Sequence, residues 1–488
     1  MSRNLMNSPK PPSILIYTKD DETKYKKLHD TLVNVLPDDT YTIFYLDTNV
    51  LKSTTWIESS TACLILSGIE ELESECIETI RKYVEGGGKI MTEDSTSEKI
   101  VKEINDNHSV FKNFNNNIST TLKEVGLMID EEHNENTKKL STAYLISDNE
   151  QQISSLRGMI YNNKFGGSPK LLISPSFPEE LEKVETSEEL IKIKVLSKNE
   201  KISTFNVSEY MENLQTNKIG KLLIHTDVCT TTLDISKGLS EALPTNEDPI
   251  VVTANYQTSG VGRSGNQWLS PKGCLMFSFN YTVSWESKLS KKLTFIQHVL
   301  AVAIVDAIRT VVGAHDIPLK IKWPNDIYWD RKYKIGGILV RCSTLGNNYR
   351  CILGAGVDLA NEKPTVCINQ FLRESFNMEL SKEKVLAEIM NKFEMYMDIF
   401  EERDYKGFLE FYYKHWLHTD EEVFVHGESK TQEDADEDEL LDEYCVIRGL
   451  NEYGYLRVIG KQSGIAFSVC DNGNTFDMMK GLIKTKFV

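Results

Sequence analysis

Cysteine is scarce and unevenly spaced in this chain of 488 residues. There are nine, at positions 63, 76, 229, 274, 342, 351, 367, 445 and 470, an odd number with no C-x-x-C pair. Neither a disulfide framework nor a zinc cluster follows from such spacing. Several sit inside apolar runs such as Ala62-Cys63-Leu64-Ile65-Leu66, so they read as reduced, buried, small hydrophobes. Positive charge is also short: 55 Lys and Arg face 72 Asp and Glu, a net of −17. Gripping nucleic acid through overall charge needs a basic face, so no nucleic-acid partner is expected. Long apolar runs are missing as well. The opening MSRNLMNSPKPPSILIYTKDD holds none of signal-peptide length, and no stretch reads as membrane-spanning. The expectation is a soluble protein with no membrane partner, cytoplasmic, with a mitochondrial fraction left open.

What the chain does have is enough apolar side chain, 40% of residues, to build cores. At roughly 100–200 residues per domain its length implies two to four of them. The first hundred residues alternate strand and helix. Ser13–Tyr17, Tyr41–Leu46, Ala62–Ser67 and Lys89–Met91 read as strands, and residues 21–36 and 71–84 as helices. Gly86-Gly87-Gly88 stops the second helix. This order predicts a parallel sheet with crossover helices. The glycines do not make a phosphate loop, because Tyr83 stands where a Walker glycine belongs and Ile90 where Ser or Thr should follow the lysine. Residues 101–200, rich in Asn and Ser, read as the remainder of this first domain with long loops.

From 219 the pattern sharpens. Gly220–His225 and Ile250–Ala254 are strand candidates, and 289–312 carries Leu293, Ile296, Leu300, Ala303, Ile304, Ala307, Ile308 and Val311 at helical spacing, ended by Gly313. Lys320–Lys322, Ile335–Cys342 and Tyr349–Leu353 follow as strands. Glu433–Glu443 packs eight acidic residues into eleven, which reads as a solvated loop. Short β-runs punctuated by Gly and Asn fill the rest, as in a small β-barrel.

Two clusters carry chemistry. Gln257-Thr258-Ser259-Gly260-Val261-Gly262-Arg263-Ser264-Gly265-Asn266-Gln267-Trp268 follows a strand. Its glycines let the backbone turn sharply and bring amides to an anion, and Arg263 adds a permanent charge with a fork that fits phosphate or carboxylate. Taken alone it is equally a tight turn. The second cluster is Lys322-Trp323-Pro324-Asn325-Asp326 with Lys334-Ile335-Gly336-Gly337-Ile338-Leu339-Val340. Pro324 ends a strand, Asn325 and Asp326 fix the turn, and Lys334 enters an apolar strand where an unpaired ammonium is costly and a bound anion would satisfy it.

Together these segments resemble the biotin–protein ligases, whose eukaryotic members are called holocarboxylase synthetases. Gly-x-Gly-Arg-x-Gly-x-x-Trp-x-Ser-Pro (260–271), Lys-Trp-Pro-Asn-Asp (322–326) and Lys-Ile-Gly-Gly-Ile-Leu-Val (334–340) stand in the family's order. Thr230-Thr231-Thr232, Trp416-Leu417-His418 and Thr475-Phe476-Asp477-Met478-Met479 add support. The resemblance covers roughly 205–488. It implies an α/β and α+β multidomain protein with a central mixed α+β ligase domain of class II synthetase-like fold at 205–420 and a small C-terminal β-barrel at 421–488. The first domain, 1–204, resembles the glutamine-amidotransferase-like domain of eukaryotic members. Where active amidotransferases carry a cysteine, this chain reads Met91-Thr92-Glu93-Asp94, so the domain is expected to be non-catalytic.

The implied reaction joins biotin and Mg-ATP into biotinyl-5′-AMP and then passes biotin to a lysine of an apo carrier domain of biotin-dependent carboxylases, by a monomer or weak dimer. The resemblance assigns catalysis to Arg263, Lys334 and Asp326, with Asp326 either orienting Lys334 or acting on the incoming lysine. Biotin falls to Thr231, Thr232, Leu233, Gln257, Gly260, Val261, Gly262, Arg263, Lys334, Gly336 and Gly337, and ATP to Gly262, Arg263, Ser264, Gly265, Trp268, Lys322, Asn325 and Asp358. Mg2+ accompanies the ATP; no protein ligand set for a metal is assigned. Three positions depart from the family: Val261 replaces the arginine of bacterial members, Ser264 a glycine common in eukaryotic ones, and Asp358 the usual Asn. A lipoate-attaching relative and a non-enzymatic interaction protein are the competing readings. The Lys-Trp-Pro-Asn-Asp and Lys-Ile-Gly-Gly-Ile pair favours biotin, and retention of Arg263 and Lys334 favours an enzyme.

Overall fold

The computed structural model describes residues 11–485 apart from 38–39, 55, 58–59, 105–110, 114–117, 130–138, 148, 150, 155, 157–168, 175, 178–182, 198–199, 243–247, 264–265, 314–315, 362–363, 427–441, 472–473 and 478–481. The N-terminal sheet is built from β1 (Ser13–Tyr17), β2 (Thr42–Tyr45), β3 (Thr61–Leu66), β4 (Ile90–Thr92) and β5 (Phe111–Asn113). Its order is β2-β1-β3-β4-β5 and every pairing is parallel, as the alternation predicts. β1 and β3 are apolar on both faces, and helices such as Glu22–Val33 and Ser74–Glu85 cover them. Gly86 ends the second helix, and Gly87 continues the turn at a φ of 86°.

A ten-stranded mixed sheet forms the centre. It comprises β6 (Ala143–Ile146), β7 (Lys170–Ser174), β8 (Leu190–Val195), β9 (Leu222–Cys229), β10 (Ile250–Gln257), β11 (Leu275–Ser284), β12 (Leu319–Lys322), β13 (Asp326–Trp329), β14 (Tyr333–Leu345) and β15 (Asn348–Val357). The order is β12-β13-β14-β15-β11-β10-β9-β6-β8-β7. This departs from the boundary expected at 204. β6 pairs antiparallel with β9, through Tyr144 opposite His225 and Ile146 opposite Leu223, so residues 143–195 extend the central sheet rather than complete the first unit. Ala143, Leu145, Ile191 and Ile193 accordingly share a core with Ile224, Ile235 and Val252.

The helix Phe295–Val312 lies against this sheet and against the long helix Lys382–His415. Its burial is not a stripe. Ala301, Val302 and Val305, off the expected face, are as buried as the rest, which is the pattern of a helix surrounded by protein. Contrary to the sequence expectation, its 18 residues and mean hydropathy of 1.7 do meet the length and composition of a membrane span, but 72% of them are buried inside the protein.

The C-terminal sheet has six strands: β16 (Glu422–Val425), β17 (Glu443–Leu450), β18 (Leu456–Gly460), β19 (Ala466–Val469), β20 (Asn474–Asp477) and β21 (Leu482–Thr485), in the order β19-β18-β17-β16-β21-β20. Among the described residues β19 and β20 are its two edges. Val423, Val425, Cys445, Ile447 and Ile483 join one continuous core with the central sheet and its helices. Most of the acidic run lies outside the described residues. Its last member, Glu443, is buried in β17 and accepts from Ser463, because a strand position facing the core sits at the end of an otherwise polar segment.

Candidate active site

β9 and β10 run parallel, so their carboxyl ends emerge together. After Cys229 the chain passes through Thr230 and Thr231 into the helix Thr232–Ala242, and after Gln257 it enters the glycine loop. The two exits are tied by Thr258 N to Cys229 O (3.0 Å) and Ser259 N to Thr230 O (2.9 Å). Gln257 braces them further. Its Oε1 accepts from Thr232 N at 2.8 Å, and its Nε2 donates to Ser270 Oγ at 2.8 Å. Expected as a direct polar contact for a ligand, this buried amide instead has both ends engaged in holding the helix start against the segment after Trp268. Thr231 accepts from Leu233 N at 3.4 Å, and Thr231 and Thr232 are both buried. Leu233 packs on β15, where a Cβ on Gly354 would sit 2.7 Å from its Cδ2.

The glycine loop folds back on itself. Val261 bridges Gln267, Trp268 N donates to Gly260 O at 2.8 Å, and Gly262 N donates to Asn266 O at 2.7 Å. The Gly262 amide, expected to meet a phosphate, is therefore bonded within the loop. Gly260 is needed for close approach, since a Cβ there would lie 2.2 Å from Trp268 O. Ser264 and Gly265 lie outside the described residues. From the N-terminal unit, Ile43 N reaches Gln267 Oε1 at 3.5 Å.

Arg263 and Lys334 arrive at neighbouring positions of the Lys-Trp-Pro-Asn-Asp turn. Arg263 Nη1 lies 3.4 Å from Asn325 Oδ1, and Lys334 Nζ lies 2.7 Å from Asp326 Oδ1. β14 pairs antiparallel with β13, with Lys334 opposite Tyr328 and Gly337 opposite Asp326, so Lys334 reaches Asp326 diagonally across the pair. Asn325 is fixed by Ile338, its Nδ2 donating to Ile338 O at 2.7 Å and its O accepting from Ile338 N at 2.9 Å. The anion expected to satisfy Lys334 is thus in part the protein's own. Asp326 also takes Lys322, at 3.4 Å. Burial would raise the Asp326 carboxyl, but Lys334 and then Lys322 outweigh it and hold it down at about 2. So placed, Asp326 orients two ammonium groups and is a poor proton acceptor.

Trp268 forms a wall. Its ring stands over Gly337 and Gly356, where a Cβ on Gly356 would lie 2.3 Å from Nε1, and Lys334 Nζ sits 5.6 Å from the ring centroid. Gly336 is equally constrained, a Cβ there meeting Gly356 O at 2.9 Å. Asp358 follows β15. Its Oδ2 accepts from Thr365 Oγ1 at 3.0 Å, its N donates to Ile335 O, and burial pushes its carboxyl up to about 7 against the Thr365 and Cys274 hydrogen bonds and the Lys334 charge. The full negative charge expected of Asp at this position is therefore largely suppressed below neutrality. Arg263 has a partner that no nearby motif announces: Asp471, just past β19, receives Nη2 on its backbone O and Nη1 at 3.5 Å on its carboxylate. Arg263, Lys322 and Lys334 thus face the carboxylates of Asp326 and Asp471, three cationic side chains against two acidic ones.

Residues 230–358 match the model of the biotin/lipoate A/B protein ligase family. The chain is 33% identical over 290 residues to biotin–protein ligase 2 of Arabidopsis thaliana, a match that covers 58% of this chain and 83% of that one. The chain belongs to the biotin–protein ligase family. It is also 33% identical over 289 residues to the human biotin–protein ligase, of whose length it spans 38%. Among solved structures it is similar to a biotin protein ligase from Aquifex aeolicus in complex with biotin and ATP, at 21% identity and a TM-score of 0.38, covering 54% of this chain and 99% of that one. The matched family segment opens at Thr230 and closes at Asp358, and so contains every candidate residue named from the motifs. Two participants had no role assigned from the sequence. Ser270, partner of Gln257, stands within the quoted motif 260–271, two residues after Trp268. Asp471 had no local signal, being one Asp in a turn more than two hundred residues from Arg263.

Proposed function

We propose that the protein is an ATP-dependent ligase that activates biotin as biotinyl-5′-AMP and transfers it to a lysine of an apo carrier domain of a biotin-dependent carboxylase. The observation that carries this reading is the meeting of Arg263 and Lys334 on the adjacent residues Asn325 and Asp326, beside the glycine loop. In the first step the biotin carboxylate attacks the α-phosphorus and pyrophosphate leaves. Two anions must approach, so a cluster with excess positive charge is the electrostatic requirement. Arg263 serves the α-phosphate, and Lys334, steered by Asp326, serves the biotin carboxylate and then the mixed anhydride. Thr231, Thr232 and Leu233 line the biotin side, with Gln257 holding them in place. Trp268, Lys322, Asn325 and Asp358 border the nucleotide side. In the second step the neutral ε-amine of the carrier lysine attacks the anhydride carbonyl, AMP departs with the bridging oxygen, and an amide forms.

The glycine loop, from Gly260 to Arg263, closes over the adenylate and keeps water from it. For this the Gly262–Asn266 bond exchanges for one to phosphate, and Arg263 leaves Asp471. Mg2+ enters on the triphosphate as part of the substrate; the described residues contain no group of three His, Cys, Asp or Glu that could hold a metal. The unit carrying β1–β5 serves as a non-catalytic, amidotransferase-like domain. Its all-parallel sheet supports the likeness, and β4 leads into Thr92-Glu93-Asp94 without a nucleophilic cysteine. Incubation with labelled biotin, Mg-ATP and an apo biotin carboxyl carrier domain, with labelled lipoate in parallel, tests the proposal. Biotin-specific labelling of the carrier is expected; labelling by lipoate alone, or by neither acid, overturns it.

A further inference from the structure

Seven of the nine cysteines are buried and Cys470 is half-buried; Cys342 alone is exposed, and it stands directly opposite the buried Cys351 across β14 and β15. The hairpin between them closes through Gly346 and Asn347, flanked by the pair Leu345 and Asn348, with Gly346 at a φ of 58° as a two-residue turn requires. Hydrogen-bonded and non-hydrogen-bonded pairs alternate from that closing pair. Cys342 and Cys351 therefore fall on a non-hydrogen-bonded pair, whose Cα atoms lie about 4.5 Å apart. That separation is within the roughly 4.4–6.8 Å that a disulfide spans. The two sulfurs are 2.8 Å apart, well inside ordinary sulfur–sulfur contact, so no backbone rearrangement is needed to join them.

The pair is asymmetric in a useful way. Solvent reaches Cys342, whereas Cys351 is fully buried beneath it. The hydrogen bond shared with Cys351 holds the Cys342 thiol below its ordinary value, and the same bond together with burial pushes Cys351 up. The exposed member is thus the one a dissolved reagent meets first, and the thiolate is the reacting species.

We propose that Cys342 and Cys351 form a thiol–disulfide exchange site that takes small disulfides of the glutathione class. The Cys342 thiolate attacks one sulfur of the oxidised reagent, forming a mixed disulfide and expelling one thiolate. Cys351 then attacks the Cys342 sulfur; its proton passes to the second departing thiolate, and a cross-strand disulfide remains. Two protein thiols are oxidised and one reagent disulfide is reduced to two thiols. Exchange through an exposed attacking sulfur and an adjacent resolving one follows the general course of such reactions.

The test uses the full chain treated with oxidised glutathione, followed by denaturation, alkylation of the remaining thiols and peptide mapping. The expected product is a 342–351 cross-link with the other seven cysteines alkylated, reversed by a dithiol reductant. Cys351→Ser should stop at a stable glutathione adduct on Cys342, and Cys342→Ser should suppress modification at 351. The proposal is overturned if the unsubstituted chain keeps a stable adduct on Cys342 with Cys351 still alkylatable, or if Cys342 reacts no faster than the buried cysteines.

Discussion

Asp358 gives the sharpest quantitative test of the site. Its carboxyl is buried, accepts from Thr365 and is pushed from 3.8 to about 7, first by burial and only partly offset by its hydrogen bonds and by Lys334. Between those values the folded protein keeps a proton that the unfolded chain has released, so stability falls as pH rises through that window. Below the unfolded value the penalty is absent; above the folded value it is complete. A shift of about three units at about 1.4 kcal/mol each gives a penalty on the order of 4 kcal/mol, an upper bound that relaxation will reduce. Asp358→Asn removes the titration while keeping an oxygen that can accept from Thr365. The variant should match the unsubstituted protein near about pH 4 and gain stability steadily to about pH 8, by roughly 2–4 kcal/mol. Denaturant unfolding of both proteins across that range, compared as a difference at each pH, isolates this one group. Parallel curves, or a variant that is less stable on the alkaline side, would refute the assignment of a neutral, buried carboxyl.

Arg263→Ala and Lys334→Ala should each lower biotin-dependent pyrophosphate exchange by at least about 100-fold, the scale of losing one donor to developing charge; near-normal exchange in both would discard the site. Gly356→Ala places a Cβ 2.3 Å from Trp268 Nε1, so it should displace the ring and cut adenylate formation by about 10-fold or more while the thermal transition moves only a few degrees. Intact activity would show that Trp268 is packing alone. Two truncations separate the architecture from the motif boundary. A chain beginning near residue 139 should remain folded and form adenylate, whereas one beginning at 201 loses β6–β8 and strips Leu145, Ile191 and Ile193 from a shared core; it should aggregate or melt earlier in a thermal scan.

Much of the site was readable because its residues are contiguous. The glycine loop, the Lys-Trp-Pro-Asn-Asp turn and the Lys-Ile-Gly-Gly-Ile strand each declare themselves, and antiparallel pairing of β13 with β14 makes Lys334 and Asp326 neighbours. The first four strands of the parallel unit were readable for a different reason: burial leaves continuous apolar runs, whereas β5, Phe111-Lys112-Asn113, has none and was not read. β7 and β8 hid because they close one end of the sheet, β7 at the edge and β8 beside it, where Leu190–Val195 alternates lysine with isoleucine inside an Asn- and Ser-rich region. Partnerships were the least legible part. Nothing in the local sequence tells that Gln257 spends both ends of its amide on Thr232 and Ser270, or that Asp326 serves two lysines at once. Those depend on which side chains the completed sheet brings face to face.

Arg263 clasps Asp471, a residue in the turn just past β19 of the C-terminal sheet. On the proposed function, a lesion in that distal sheet would therefore surface as a kinetic fault in handling nucleotide, even with every motif residue intact. Variants collected there deserve assay by turnover as well as by solubility, since the end of the polypeptide has a hand on the guanidinium at its centre.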